Sequence, residues 1–157
     1  MVQTENQTVV PANDEAISLG RLNDFTGFWL RRSINVMATD FGEAMQGTGM
    51  RPTLVSIMAV IDANPGLNQG QLGRALSIQR ANMVSLVGGL MDRGLVERRD
   101  VPGDKRAFAL HLTPDGEAML AECFRRVEAH EEKMLAEISS GEKARLIELL
   151  QRICAEG

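Results

Sequence analysis

Aromatic side chains make up only 4% of this 157-residue chain, with five Phe, one Trp and no Tyr. A core so short of rings must be filled by Leu, Ile, Val, Met and Ala, a mixture that suits helices better than a β-sandwich. Cysteine is as scarce: Cys123 and Cys154 are too few and too isolated for a disulfide framework. With only His111 and His130 beside them they make no recognisable zinc spacing, so neither a structural metal nor a cofactor is expected. The longest nearly apolar run, Leu54 to Ile61, falls far short of the roughly 20 residues that cross a bilayer. Residues 1–14 have neither the basic cluster nor the apolar stretch of a secretory signal. No nucleophile–base pair, phosphate-cradling glycine loop or metal cluster stands out, so an enzyme is not expected. The expectation is a cytoplasmic, non-membrane, mainly helical protein with a flexible leader over 1–16.

The formal net charge is −4, which by itself argues against nucleic acid as a partner. Its distribution argues the other way. Residues 1–50 carry three basic and six acidic side chains (−3), 51–112 carry eight and five (+3), and 113–157 carry six and ten (−4). A basic middle lies between two acidic ends.

Hydrophobic spacing divides the chain at the same places. Leu22, Phe25, Phe28, Trp29, Ile34, Met37 and Phe41 recur every three or four residues and predict one helix from Ile17 to about Gln46, ended by Gly47 and Gly49. Pro52 opens a second, which Asn64-Pro65-Gly66 closes. Asn68 and Gln71 have the spacing of a capping box and start a short helix to Leu76. A fourth helix spans about Gln79 to Arg93, with Met83, Leu86, Val87 and Leu90 on its inner stripe and Arg80, Asn82 and Ser85 outside it. Two helices joined by a tight turn, the second with a polar outer face, make a helix-turn-helix. Gly94 stops that helix. Leu95 to Arg99 and Arg106 to Leu112 then read as a hairpin with a basic tip, in which Phe108, Leu110 and Leu112 alternate with smaller or polar residues. Thr113-Pro114-Asp115 starts a long helix to about Glu137. Ser139 with Glu142 starts the last, with Leu146, Leu149, Leu150 and Ile153 on one side.

This order, with Leu-Met-Asp-Arg-Gly-Leu-Val-Glu-Arg-Arg at 90–99, Gly-Asp-Lys-Arg at 103–106 and Leu-Thr-Pro-Asp-Gly at 112–116, resembles the MarR family of bacterial transcription regulators over Leu19 to Ile153. The resemblance implies a homodimer whose helical region, 17–50 with 113–157, intertwines with its copy, and whose winged helix-turn-helix lobes, 51–112, bind half-sites of a pseudopalindrome in double-stranded DNA. Long outer helices on a small lobe also expose more apolar surface than one chain can cover, which favours a two-fold interface.

An α-helix fits the major groove, so Arg80, Asn82 and Ser85 are the first candidates to meet base edges. Gln79, near the helix start, reaches either a base or a phosphate. Asn68, Gln69 and Arg74 are candidates for holding the phosphate backbone, which sets register without conveying sequence. The resemblance makes Arg106 the wing arginine of the minor groove and Asp104 the acid that orients it, with Lys105 a further phosphate contact. Two positions depart from the pattern. Arg51 stands where a Ser or Thr cap is usual, and Gly88-Gly89 interrupts the recognition helix, through either close packing on the wing or local bending.

Members of the family commonly release DNA when a small aromatic or anionic molecule binds. Phe25, Phe28, Trp29 and Arg32 share one face of the first helix, joining an aromatic wall to a cation. Apolar stripes at this spacing are more often packing, which here would mean dimer core with Arg32 as a surface ion-pair partner. The string Phe-Trp-Leu-Arg-Arg at 28–32 resembles a subgroup that regulates aromatic-acid degradation, some members responding to aryl-CoA thioesters. A constitutive DNA-binding regulator without an effector is the alternative. Cys123 and Cys154 lie on late helices, away from where the peroxide-sensing branch keeps its thiol, and are expected to be buried and inert. His111 and His130 are expected to be structural.

Overall fold

The computed structural model describes residues 17–101 and 104–155, apart from the side chains of Val101 and of residues 104–107. A 3-10 turn, Gly20–Asp24, precedes α1 (Thr26–Ala44), α2 (Pro52–Ala63), α3 (Gln69–Ala75) and α4 (Arg80–Asp92). Strands β1 (Val96–Val101) and β2 (Asp104–Leu112) form an antiparallel hairpin, followed by α5 (Pro114–Met134) and α6 (Ser140–Ala155). The mainly helical architecture with one small hairpin is the one expected.

Packing divides the chain into two units, Met1–Thr39 and Asp40–Gly157. In the first, the single helix expected from Ile17 is broken. Gly20 takes a positive φ of 52°, and Phe25 is extended, with φ −103° and ψ 113°. The Phe25 carbonyl then accepts from the amides of Phe28 and Trp29, which begins α1 afresh. A one-residue break of this kind leaves a three-and-four apolar spacing nearly intact, so periodicity does not register it.

The second unit holds the core. Ile57, Met58 and Ile61 of α2 pack with Leu72 of α3, Val87 and Leu90 of α4, Leu110 of β2 and Leu120 of α5. Start signals behave as their chemistry requires. Pro52 is at the first turn of α2, and Arg51 caps it without a side-chain bond. Both bonds of the capping box at α3 form: Asn68 Oδ1 accepts from the Gln71 amide at 2.9 Å, and Gln71 Oε1 accepts from the Asn68 amide at 2.8 Å. Asn68→Ala should therefore cost about 1 kcal/mol in urea unfolding, a typical value for a lost cap.

The turn between α3 and α4 is tight. Ser77 takes a positive φ of 53°, and a Cβ on Gly73 would come within 3.0 Å of the Ile78 carbonyl oxygen. Gly94 ends the following turn at φ 69°, and the Leu95 amide returns to the Leu90 carbonyl. In the hairpin Val96 pairs with Leu112, Arg98 with Leu110 and Asp100 with Phe108. Leu110 and Leu112 are buried as the alternation predicts, but Phe108 is 45% exposed, because β2 at that point has run past the edge of the core. Gly88 and Gly89 have no heavy atom within 4 Å of where a Cβ would stand, so close packing on the wing does not explain them.

Thr113 fixes the start of α5. Its hydroxyl donates to the Gly94 carbonyl at 2.6 Å and accepts from the Gly116 amide at 3.0 Å. The connection from α1 to α2 is gripped from two sides. Arg93, just after α4, donates to the carbonyls of Thr48 at 2.8 Å and Gly49 at 3.2 Å. Arg126 of α5 donates to those of Ala44 and Gln46, both at 3.0 Å, and its Nε to Glu122 Oε1 at 2.6 Å.

The His130 side chain is 3% exposed, and its Nδ1 lies 2.6 Å from Asp40 Oδ2, while Lys133 bonds the other Asp40 oxygen. Lys133 above all, with His130 second, holds the Asp40 carboxyl below the usual carboxylate range. A lowered folded-state pKa contributes stability above the unfolded value, about pH 4 for Asp, and loses it as pH falls through the folded value. Asp40→Asn should accordingly flatten the fall in urea midpoint between pH 5 and pH 2. An acid limb as steep as wild type would rule the contribution out. Burial pushes the Cys123 thiol up, which keeps it protonated and inert. Cys154 is exposed, contrary to expectation, because it falls on a face of α6 that the single chain leaves uncovered.

Candidate nucleic-acid interface

The α3–α4 turn and the hairpin leave between them an open groove of about 890 Å³. Asn68, Gln69 and Arg74 line it from the α3 side, and Gln79 and Arg80 from the start of α4. Five of the residues expected to touch DNA thus come together. Asn82 and Ser85 are exposed on α4 but do not line the groove. Successive helical residues turn by about 100°, so Asn82 points roughly 200° round from Arg80 and cannot share its wall. The side chains of Asp104, Lys105 and Arg106 lie outside the described residues.

Sequence reasoning missed the other wall. Arg98 of β1 and Phe108 of β2 line the groove, with the Arg98 guanidinium carbon 6.0 Å from the ring centroid. The signal was available in the pairing of the strands: Arg98 faces Leu110 across the hairpin, two residues from Phe108 on the same face of β2. Val84, one turn after Arg80, also lines the groove and is 47% exposed. Gln69 Nε2 is buried and finds no hydrogen-bond partner among the described residues. Arg74, Arg80 and Arg98 give this concavity the positive charge that the chain as a whole lacks. Neutralising phosphates by such cations is the main source of affinity for duplex DNA.

The residues expected to hold an effector lie in the first unit. Phe28 and Trp29 meet edge to face, with centroids 5.2 Å apart and planes at 79°, and Trp29 Nε1 donates to the Asn23 carbonyl at 3.0 Å. Phe25 and Arg32 are exposed. Among the described residues Arg32 makes no ion pair, so the surface-pair reading finds no partner there.

A family model described as MarR family matches residues 48–107, which span the helix-turn-helix and most of the hairpin. A candidate transcriptional regulatory protein for the hcr operon of Thauera aromatica is 34% identical over 146 residues, covering 91% of this chain and 88% of the relative. The chain belongs to the MarR family. Among solved structures, the transcriptional repressor CouR bound to a 23-mer DNA duplex superposes with a TM-score of 0.84 at 30% identity, covering 89% of this chain and 99% of that one. CouR bound to p-coumaroyl-CoA gives 0.79 at 29% identity, covering 90% and 99%. Like its MarR relatives, the chain is a DNA-binding transcriptional regulator, and these relatives are regulators rather than enzymes. Among the described residues no helix is long and apolar enough to cross a membrane.

Proposed function

We propose that the chain is a cytoplasmic, homodimeric repressor that leaves a pseudopalindromic operator when a small aromatic acid or an aryl-CoA thioester binds. The observation that carries the DNA half of this reading is the groove in which Arg74, Arg80 and Arg98 converge on an otherwise acidic protein. Residues 51–112 form the DNA-binding lobe. Arg80, Asn82 and Ser85 read bases from α4, Gln79 meets a base or a phosphate, and Asn68, Gln69 and Arg74 hold the backbone. Asp104 orients Arg106 into the minor groove, and Lys105 adds a phosphate contact.

Residues 17–50 and 113–157 form the dimerisation region. Ile34, Leu146, Ile147 and Ile153 are exposed apolar side chains of α1 and α6, and a second copy supplies their cover. Phe25, Phe28, Trp29 and Arg32 form the effector site. Support comes from the aromatic pair beside the exposed cations Arg31 and Arg32, and from the p-coumaroyl-CoA held by CouR. An aryl-CoA thioester carries an apolar aryl end and phosphates, which match rings and guanidinium groups respectively.

Arg106→Ala should leave the fold intact and weaken operator binding in a gel-shift titration, since the wing loses its cation. Unchanged affinity removes that role. Thermal shifts against benzoates, hydroxycinnamates and their CoA thioesters test the effector. Stabilisation together with release of DNA is the expected result. DNA binding indifferent to every compound would leave a constitutive regulator.

A further inference from the structure

The exposed apolar side chains of the groove serve neither phosphate binding nor hydrogen-bond readout. Val84 is 47% exposed and Phe108 is 45% exposed, and they line a concavity whose other side chains include three arginines. A β-branched residue on the outer part of a helix gains nothing in propensity over Ala, Lys or Arg. The three guanidinium groups make a polyanion the complementary occupant of the groove. Within duplex DNA, the base-edge group that an apolar side chain distinguishes is the C5 methyl of thymine.

Val84 follows Arg80 by four residues, so the two project from the same side of α4, about 6 Å apart along its axis. One base step is about 3.4 Å. A helix that places Arg80 on one base pair therefore carries Val84 to a neighbour within about two steps of it.

We propose that Val84 is a specificity-determining residue that packs on the methyl group of a thymine within about two base pairs of the position read by Arg80. The inference rests on the proposal that α4 reads the major groove. Phe108 borders the same space from the hairpin and holds Arg98 by a cation–π contact, so that Arg98 is kept for the passing phosphates. The selection is for T over C or U at that one position, beside the hydrogen-bond readout of Arg80 at its neighbour.

Duplexes selected from a random-sequence pool by the full-length protein supply the test, so the operator need not be identified beforehand. Each thymine of the enriched site, together with its symmetry mate in the other half-site, is replaced in turn by deoxyuridine, which removes only the methyl. At one position of each half-site uracil should weaken binding by about fourfold per half-site, the effect of losing one buried methyl group. Val84→Ala should bind the thymine duplex about as weakly as wild type binds the uracil duplex, and should no longer distinguish the two. Both proteins should unfold at similar urea concentrations, because Val84 is exposed. An enriched sequence with no uracil-sensitive thymine would overturn the inference while leaving the DNA-reading face in place. So would a uracil penalty that persists in Val84→Ala, since another group would then meet the methyl. Failure to enrich any sequence would overturn the base-reading face of α4, and the role of Val84 with it.

Discussion

Gly116→Ala should cost the protein roughly 3 kcal/mol or more of folding stability, the upper part of the range for overpacked sites. A Cβ on Gly116 would lie 2.0 Å from the Leu95 carbonyl oxygen and 3.0 Å from its carbonyl carbon. Neither is the end of a flexible side chain, so relief requires moving backbone. Leu95 is the residue where α4 hands over to β1, and its carbonyl accepts from the Thr113 amide. Separating α5 from this point also strains the Thr113 hydroxyl bridge between Gly94 and Gly116. Urea unfolding of Gly116→Ala against wild type measures the loss. Gly88→Ala is the matching control: with open space around the added methyl, it should leave stability unchanged or raise it by up to about 1 kcal/mol. A Gly116 variant as stable as that control would show that the contact relaxes freely.

Arg80→Ala should weaken binding to the cognate operator by roughly fivefold to a hundredfold per half-site, the value of one bidentate arginine–guanine pair at about 1–3 kcal/mol. The loss should be confined to one position of each half-site. Duplexes already mismatched there should lose little more. Arg74→Ala, on the α3 wall of the same groove, should behave differently. A phosphate contact carries no sequence information, so its removal lowers affinity for all duplexes alike and reduces the salt slope by about 1 per half-site. Gel-shift titrations on a matched and a mismatched duplex at several salt concentrations separate the two patterns. Equal losses on both duplexes for Arg80→Ala would make it a backbone contact.

Most of this fold was legible because its boundaries are set by local chemistry. Asn68 with Gln71, Thr113 before Pro114, and Gly94 after α4 each act within a few residues, and the structure realises all three. The break at Phe25 was illegible for the converse reason: one extended residue changes a helix without changing the apolar spacing around it. The interface divided along the same line. That Asn68, Gln69, Arg74, Gln79 and Arg80 share one groove was legible because a helix-turn-helix presents them by its own geometry. Arg98, Phe108 and Val84 were missed because their place in the groove depends on how the hairpin stands against α4, which no local spacing encodes. Arg93 and Arg126 were hidden further still. Each reaches carbonyls more than forty residues away in the chain, and an arginine that binds backbone leaves no complementary side chain to suggest it.

Those two guanidinium groups give the short connection before α2 a mechanical role. One arm reaches it from the trailing end of α4 and the other from α5, and each ends on main-chain oxygens 2.8 to 3.2 Å away. A movement of α5 that kept the Arg126 bonds would carry the loop with it and load the Arg93 bonds as well. The loop thus joins α5 to the end of α4 farthest from Arg80, so the two helices share one anchorage.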